Sequence, residues 1–148
     1  MIYTGSYTNF KNYTEDLPVA VSISGDRGKM VNFEGKCFPA LAPKFEFWKI
    51  WHENIGKITE EENTAYYIRE YVSKVLKHLN PNKVFKELDN SILLCYEPSL
   101  DFCHRHIVAL WLEKNLNIMV PEVIFDENNI LTITNRNDKI SSIIINFL

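Results

Sequence analysis

Cysteine is scarce in this chain: three in 148 residues, an odd number at no framework spacing. That argues against a disulfide-stapled secreted scaffold and for a reducing interior. Glycine and proline are also few, at five and six, and no tract of low complexity or internal repeat replaces them. No apolar run approaches the ~20 residues of a membrane span. Positive charge is not in excess: 16 Lys and Arg against 19 Asp and Glu leave a net charge of −3. Indiscriminate attraction to nucleic acid needs a dominant positive field and is excluded, whereas a local basic site is not. The first residues enter strand-like sequence with no basic or apolar leader pattern. Neither a Walker loop nor a dinucleotide fingerprint is present, so no cofactor is indicated. With 46% hydrophobic and 24% charged residues, the expectation is one globular, cytoplasmic domain without membrane contact.

What the chain does have is concentrated between Ser91 and Leu112. The apolar run Ile92, Leu93, Leu94 ends at Cys95 and Glu97. A short loop with Pro98 and Ser99 follows, and Asp101 then opens an amphipathic stretch carrying Cys103, His104 and Arg105. This reads as strand, loop and helix N-terminus, with reactive residue types gathered where the strand stops. In open α/β sheets that is where ligands bind.

Around this segment the pattern alternates strands and helices. Residues 2–8 and 17–24 read as strands, the latter through Val19, Val21 and Ile23 and closed by Gly25. Residues 25–35, with three glycines and several charges, read as a mobile surface loop. Pro43 suits a first helical turn, and residues 44–54 pack Phe45, Phe47, Trp48, Ile50 and Trp51 into a short helix that Gly56 can stop. Trp48 and Trp51 read as core. Thr59 and Glu62 have capping-box spacing, and Ala65, Ile68, Val72, Val75, Leu76 and Leu79 then recur on one helical face. Asn80 and Pro81 cap a short helix through Leu88. A helix from Phe102 to Leu116 follows the third strand. Beyond Pro121, residues 122–125, 130–134 and 142–147 read as strands, the first two joined by a hairpin turn at 126–129.

The residue types near Cys95 define the chemistry on offer. A thiol is a nucleophile only as thiolate, which a helix N-terminus or a cation favours. With Asp101 as N-cap, Cys103 falls in the first helical turn beside His104 and Arg105, a setting for a reactive thiol with an acid–base partner. Packing in a buried contact is the alternative for Cys103 and for Cys95. Glu97 shares Cys95's side of the pleat and suits a general base, a sugar contact or an ion pair. Arg105 reads as the anion clamp, its alternative being a salt bridge to Glu97 or Asp101. His106 reads as a surface residue. Ser6 and Tyr7 after the first strand, and Ser24 and Arg27 after the second, are expected to complete a phosphate or ribose cradle. Tyr67 and Tyr71, four apart, either stack a base or pack in the core. Zinc is disfavoured because seven residues separate the cysteines and adjacent Cys103 and His104 are expected to diverge. A Cys95–Cys103 disulfide is not decided by spacing alone. Nine residues lie between Cys95 and Arg105, too many for the tight cysteine-to-arginine loop of phosphatases and rhodaneses.

Cys95, Glu97, Cys103, His104 and Arg105 together resemble the signature of the domain of unknown function 488 family of bacterial and phage proteins. Looser agreement covers residues 2–7, 22–28, Leu41-Ala42-Pro43 and the helix of Tyr67 and Tyr71. The resemblance spans roughly residues 1–121 and implies a Rossmann-like fold with an active site, without a substrate.

These readings converge on a single α/β domain with a mostly parallel sheet flanked by helices. Residues 1–121 form its body and residues 122–148 a C-terminal β extension packed on it. The expected function is an enzyme acting on a nucleotide or other nucleic-acid-related anion at the strand-end crevice. Glu97, Cys103, His104 and Cys95 are its catalytic candidates. Arg105, Ser6, Tyr7, Ser24, Arg27 and Tyr67 are its binding candidates, and no metal is assigned. The rival functions are a non-enzymatic nucleotide-binding module and a partner-binding role for the terminal hairpin.

Overall fold

The longest fully buried strand fixes the middle of the molecule. In the computed structural model, which describes residues 1–8, 14 and 16–148, all five residues of β4 (Ser91–Cys95) are shielded from solvent. A continuous apolar run of this kind suits a parallel strand covered on both faces. β4 pairs in parallel with β1 (Ile2–Ser6) on one side and β2 (Val19–Ser22) on the other. A two-residue strand, β3 (Lys36–Cys37), adds to β2 in parallel. On the far side, β5 (Glu122–Phe125) joins β1 in parallel, and β6 (Leu131–Thr134) returns antiparallel to it. The sheet order is β3-β2-β4-β1-β5-β6, a mostly parallel α/β sheet with an antiparallel edge.

Alternation along β4 divides the core between the two faces. Leu93 points with Ile2 and Val21 into the larger cluster, which is built from the helices: Phe47 of α1 (Phe45–Asn54), Ile68 and Tyr71 of α2 (Glu60–Lys74), Val84 and Leu88 of α3 (Pro81–Leu88), Ile107 and Leu112 of α4 (His104–Leu116), and Ile144 of α5 (Asp138–Phe147). Ile92 and Leu94 point the other way, into a small cluster with Tyr7 and Val123 that Val31 and Phe33 of the loop after β2 help to cover. That loop turns at Gly28, whose φ of +79° and contact with Phe33 leave no room for a Cβ.

The caps are local and physical. Thr59 accepts a hydrogen bond from the Glu62 amide at the start of α2, and Asn80 does the same for Asn82 and Lys83 at α3. Two sequence readings change. Residues 142–147, expected as a strand, belong to α5. Asn137 caps that helix by accepting from the amides of Lys139 and Ile140. Ile140, Ile143, Ile144 and Phe147 then recur at helical spacing against the core. The helix after β4 begins at His104, with Cys103 rather than Asp101 at its N-cap. Among the described residues no helix is long and apolar enough to cross a membrane.

Because β1, β2 and β4 run the same way, their carboxyl ends share one edge of the sheet. The segments following β2 and β4, together with the start of α4, therefore meet there.

Candidate functional site

At that edge lies a cavity of about 640 Å³. The end of β4 delivers Cys95, Tyr96 and Glu97 to it, the start of α4 delivers Cys103 and His104, and the loop after β2 delivers Ser24 and Asp26. α1 and α2 close the remaining side with Phe45, Trp48, Trp51, His52 and Tyr67, joined by Phe102.

The polar part is a tight cluster. His104 is 5% exposed, and its Nε2 lies 2.8 Å from the Ile23 carbonyl. A carbonyl only accepts, so Nε2 carries a proton and Nδ1 is the nitrogen turned toward the sulfurs. Nδ1 is 3.7 Å from Cys95 Sγ and 3.9 Å from Cys103 Sγ, and Cys95 Sγ is 3.6 Å from Glu97 Oε2. Both of these cysteines are free thiols. Cys103 reaches this position because, as N-cap, it is extended (φ −155°, ψ 146°) rather than helical.

Charge in the cluster follows from this arrangement. Burial, with the charge and hydrogen bond of Cys103 behind it, pushes the Cys95 thiol and the Glu97 carboxyl up, the latter to about 7. Burial works the same way on Cys103. There it is outweighed by the hydrogen bond from Cys95 and the charges of Arg105 and His104, which hold that thiol well below its ordinary value. For His104, burial disfavours the cation, but the bond and charge of Cys103 raise it. These shifts favour negative charge on Cys103 over Cys95 and a proton on His104.

The aromatic part has two layers. Tyr67 is buried and meets Trp51 and Phe102 edge-on at 5.4 and 5.1 Å between centroids. Further out, Trp48 stacks on His52 at 5.0 Å and on Phe45 at 6.2 Å. Trp48 is 37% exposed, so it is not the core residue that helical spacing suggested, and Phe45 beside it is 67% exposed. Tyr71, by contrast, is wholly buried and donates to the Leu41 carbonyl at 2.5 Å.

Of the residues expected at the site, Cys95, Glu97, Cys103, His104, Ser24 and Tyr67 line this cavity. Four do not. Ser6 bonds Thr8 and the Tyr96 carbonyl, and the Tyr7 hydroxyl lies beneath, 2.5 and 2.7 Å from the hydroxyls of Ser22 and Ser24. Arg27 is exposed beside Asp26, with φ of 60°. Arg105 is corrected most: it is fully buried and grips Glu122, with Nε 3.1 Å from Oε1 and Nη2 2.7 Å from Oε2. It bonds neither Glu97 nor Asp101, and it does not face the crevice.

The Arg105 grip is part of a second buried cluster. Glu122 also accepts from the Thr4 hydroxyl at 2.6 Å and from Arg136 at 3.3 Å. Arg136 reaches His106 Nδ1 at 2.6 Å. His106 is therefore buried, not a surface residue, and burial lowers it to about 4, leaving it neutral.

The lining that sequence reasoning missed is the rest of the aromatic wall, Phe45, Trp48, Trp51, His52 and Phe102, whereas Asp26 was expected in the loop that converges on the crevice. The Asp26 carboxylate accepts from the Tyr96 hydroxyl at 2.5 Å and the Gly28 amide at 2.8 Å, folding the loop against the cavity. The available signal for the wall was an excess: α1 carries aromatic residues on more than one face, which a core does not require.

No curated protein and no solved structure gives a match. A family model described as the active DUF488-N3 subclade, DUF488-N3a, matches residues 3–116. That span is well over half of the chain, contains the whole Cys95–Arg105 signature and ends before Glu122. The chain thus belongs to the DUF488 family, within its DUF488-N3a group.

Proposed function

We propose that this protein is an enzyme acting on the base of a nucleotide, or of an unpaired residue in a nucleic acid, held in the strand-end cavity. The observation that carries the reading is the joining of two features in one space. A thiol–imidazole–carboxyl cluster forms one wall, and exposed and half-buried aromatic rings form the other. Stacking on such rings is worth about 1–3 kcal/mol per base and suits any planar heterocycle. The cluster supplies chemistry that binding alone does not need: Cys103, His104 and Glu97 can move protons or electron pairs at neutral pH. The cavity takes no guanidinium from Arg105, so phosphate contacts fall to its rim, where exposed Arg27 and Lys29 flank the lining residues Asp26 and Met30. That the matched family model is described as an active subclade agrees with an enzyme.

The test incubates purified protein with pools of nucleosides, nucleotides and short oligonucleotides and reads products by mass spectrometry. Wild type is expected to convert a base-bearing substrate, and Glu97→Gln to lose about 100-fold or more of the rate. Silence of wild type across all pools, with no thermal stabilisation by any of them, overturns the reading. Tight binding that survives Cys103→Ser without turnover would replace it with a binding module.

A further inference from the structure

The sulfurs of Cys95 and Cys103 and a ring nitrogen of His104 all lie within 4.8 Å of one another. Tetrahedral zinc, with bonds of ~2.3 Å to sulfur and ~2.0–2.1 Å to nitrogen, sets ligand atoms roughly 3.6 Å (S to N) and roughly 3.8 Å (S to S) apart. The observed sulfur-to-Nδ1 separations are 3.7 and 3.9 Å. With all three atoms within 4.8 Å, the sulfurs would draw together by at most roughly 1 Å to close around one ion. A second observation is independent of these distances. His104 gives its other ring proton to the Ile23 carbonyl at 2.8 Å, the outer bond that orients histidine when the opposite nitrogen is a metal ligand. The expectation that Cys103 and His104 diverge assumed both in a helical turn. Cys103 is extended instead, so the two side chains converge.

We propose that Cys95, Cys103 and His104 bind a zinc-class divalent cation through three protein ligands, its fourth position opening to the cavity beside Glu97. Two thiolates and an imidazole favour zinc over magnesium or calcium, which take oxygen. Three ligands with an open position are the pattern of catalytic rather than structural zinc. Glu97 sits 3.6 Å from Cys95 Sγ but stands outside the ligand group. With the cation bound, Glu97 would be the group placed to accept a proton from a water at the open position and to return it to a leaving group. A histidine and two cysteines with a non-ligating glutamate is also the set with which zinc enzymes attack nucleobases by hydrolysis. The cation site stands on ligand geometry alone. Its use on a base rests on the reading above.

The experiment purifies the full chain under reducing conditions without chelator and measures metal by inductively coupled plasma mass spectrometry. The protein is then stripped and titrated with Zn²⁺ and with Co²⁺. One zinc per chain is expected, and Co²⁺ should give intense visible bands of a tetrahedral ion with thiolate charge transfer. Cys95→Ser and Cys103→Ser should each weaken that charge transfer, while Cys37→Ser and Glu97→Gln should leave stoichiometric binding intact. Sub-stoichiometric zinc, or a weak octahedral Co²⁺ spectrum without thiolate bands, overturns the site. Loss of the bands in Cys37→Ser does so too. If the serine variants fail to fold, the wild-type and Glu97→Gln spectra still decide. Metal-loaded protein that is silent on every nucleotide pool sinks the proposed function and keeps the metal site. Turnover by metal-free protein keeps the proposed function and removes the cation's part in it, while zinc stoichiometry and the Co²⁺ spectrum alone decide the site.

Discussion

Glu97 and Glu122 are both withdrawn from solvent, and their surroundings move them in opposite directions. Burial lifts Glu97 to about 7, with Cys103 adding to the effect and no guanidinium bonded to it. Burial acts on Glu122 in the same sense, but the bonds and charge of Arg105 and the bond from Thr4 hold it below its ordinary value. Adjacent residues on one helix turn produce the difference: His104 faces the crevice, and Arg105 turns to the tail. The comparison separates a carboxyl with no ionic partner from one held in a buried ion-pair network. His104 and Arg105, one in each cluster, belong to a signature that reads as a single motif in the sequence.

The largest expected effect comes from breaking the second cluster. Glu122→Gln leaves Arg105 and Arg136 buried without their carboxylate and should cost about 3–5 kcal/mol in urea unfolding. The same exchange at Glu97 should stay within about 1 kcal/mol of wild type, since no ion pair is lost there. Equal costs at the two positions would erase the distinction.

A smaller effect follows with pH. Glu122's folded pKa is depressed, so its contribution is full above the ordinary carboxyl value of about 4.3 and is lost as pH falls through the folded value. Wild type should therefore lose stability steeply on the acid side, and Glu122→Gln should show a flatter acid limb below about pH 4. Matching limbs in the two proteins, read from urea midpoints across pH, would contradict the assignment of that carboxylate.

The smallest change in stability should come from the cavity's outer wall. Trp48 is 37% exposed, so Trp48→Ala should alter unfolding free energy by less than about 1 kcal/mol. It should nevertheless weaken binding of a base-bearing ligand by about 1–3 kcal/mol, measured by calorimetry. Unchanged affinity would remove Trp48 from the ligand's path.

Much of this was legible in the sequence where the cause is local. The caps at Thr59 and Asn80, the buried run of β4 and the hairpin turn at residues 126–129 each follow from neighbours within a few positions. α5 was misread because β-branched Ile143 to Ile145 imitate a strand, whereas the cap at Asn137 and the spacing from Ile140 to Phe147 select a helix. β3 is two residues long, too short for any alternation to show. Arg105 was misplaced for a different reason. Its partner is 17 residues away in the chain and on another strand, and no local rule chooses between nearby Glu97 or Asp101 and distant Glu122. The aromatic wall has the same origin: which face of α1 meets the core depends on how α1 and α2 cross, which is a tertiary fact.

The Arg105–Glu122 pair has a consequence for kinship. The guanidinium belongs to the stretch shared with the family, and the carboxylate lies past its end. Inheritance cannot treat the two separately: any descendant that trades away the last hairpin must recruit a replacement anion or surrender the arginine. Relatives can therefore be sorted by where each stores that negative charge, a trait readable from sequence once the pairing is known.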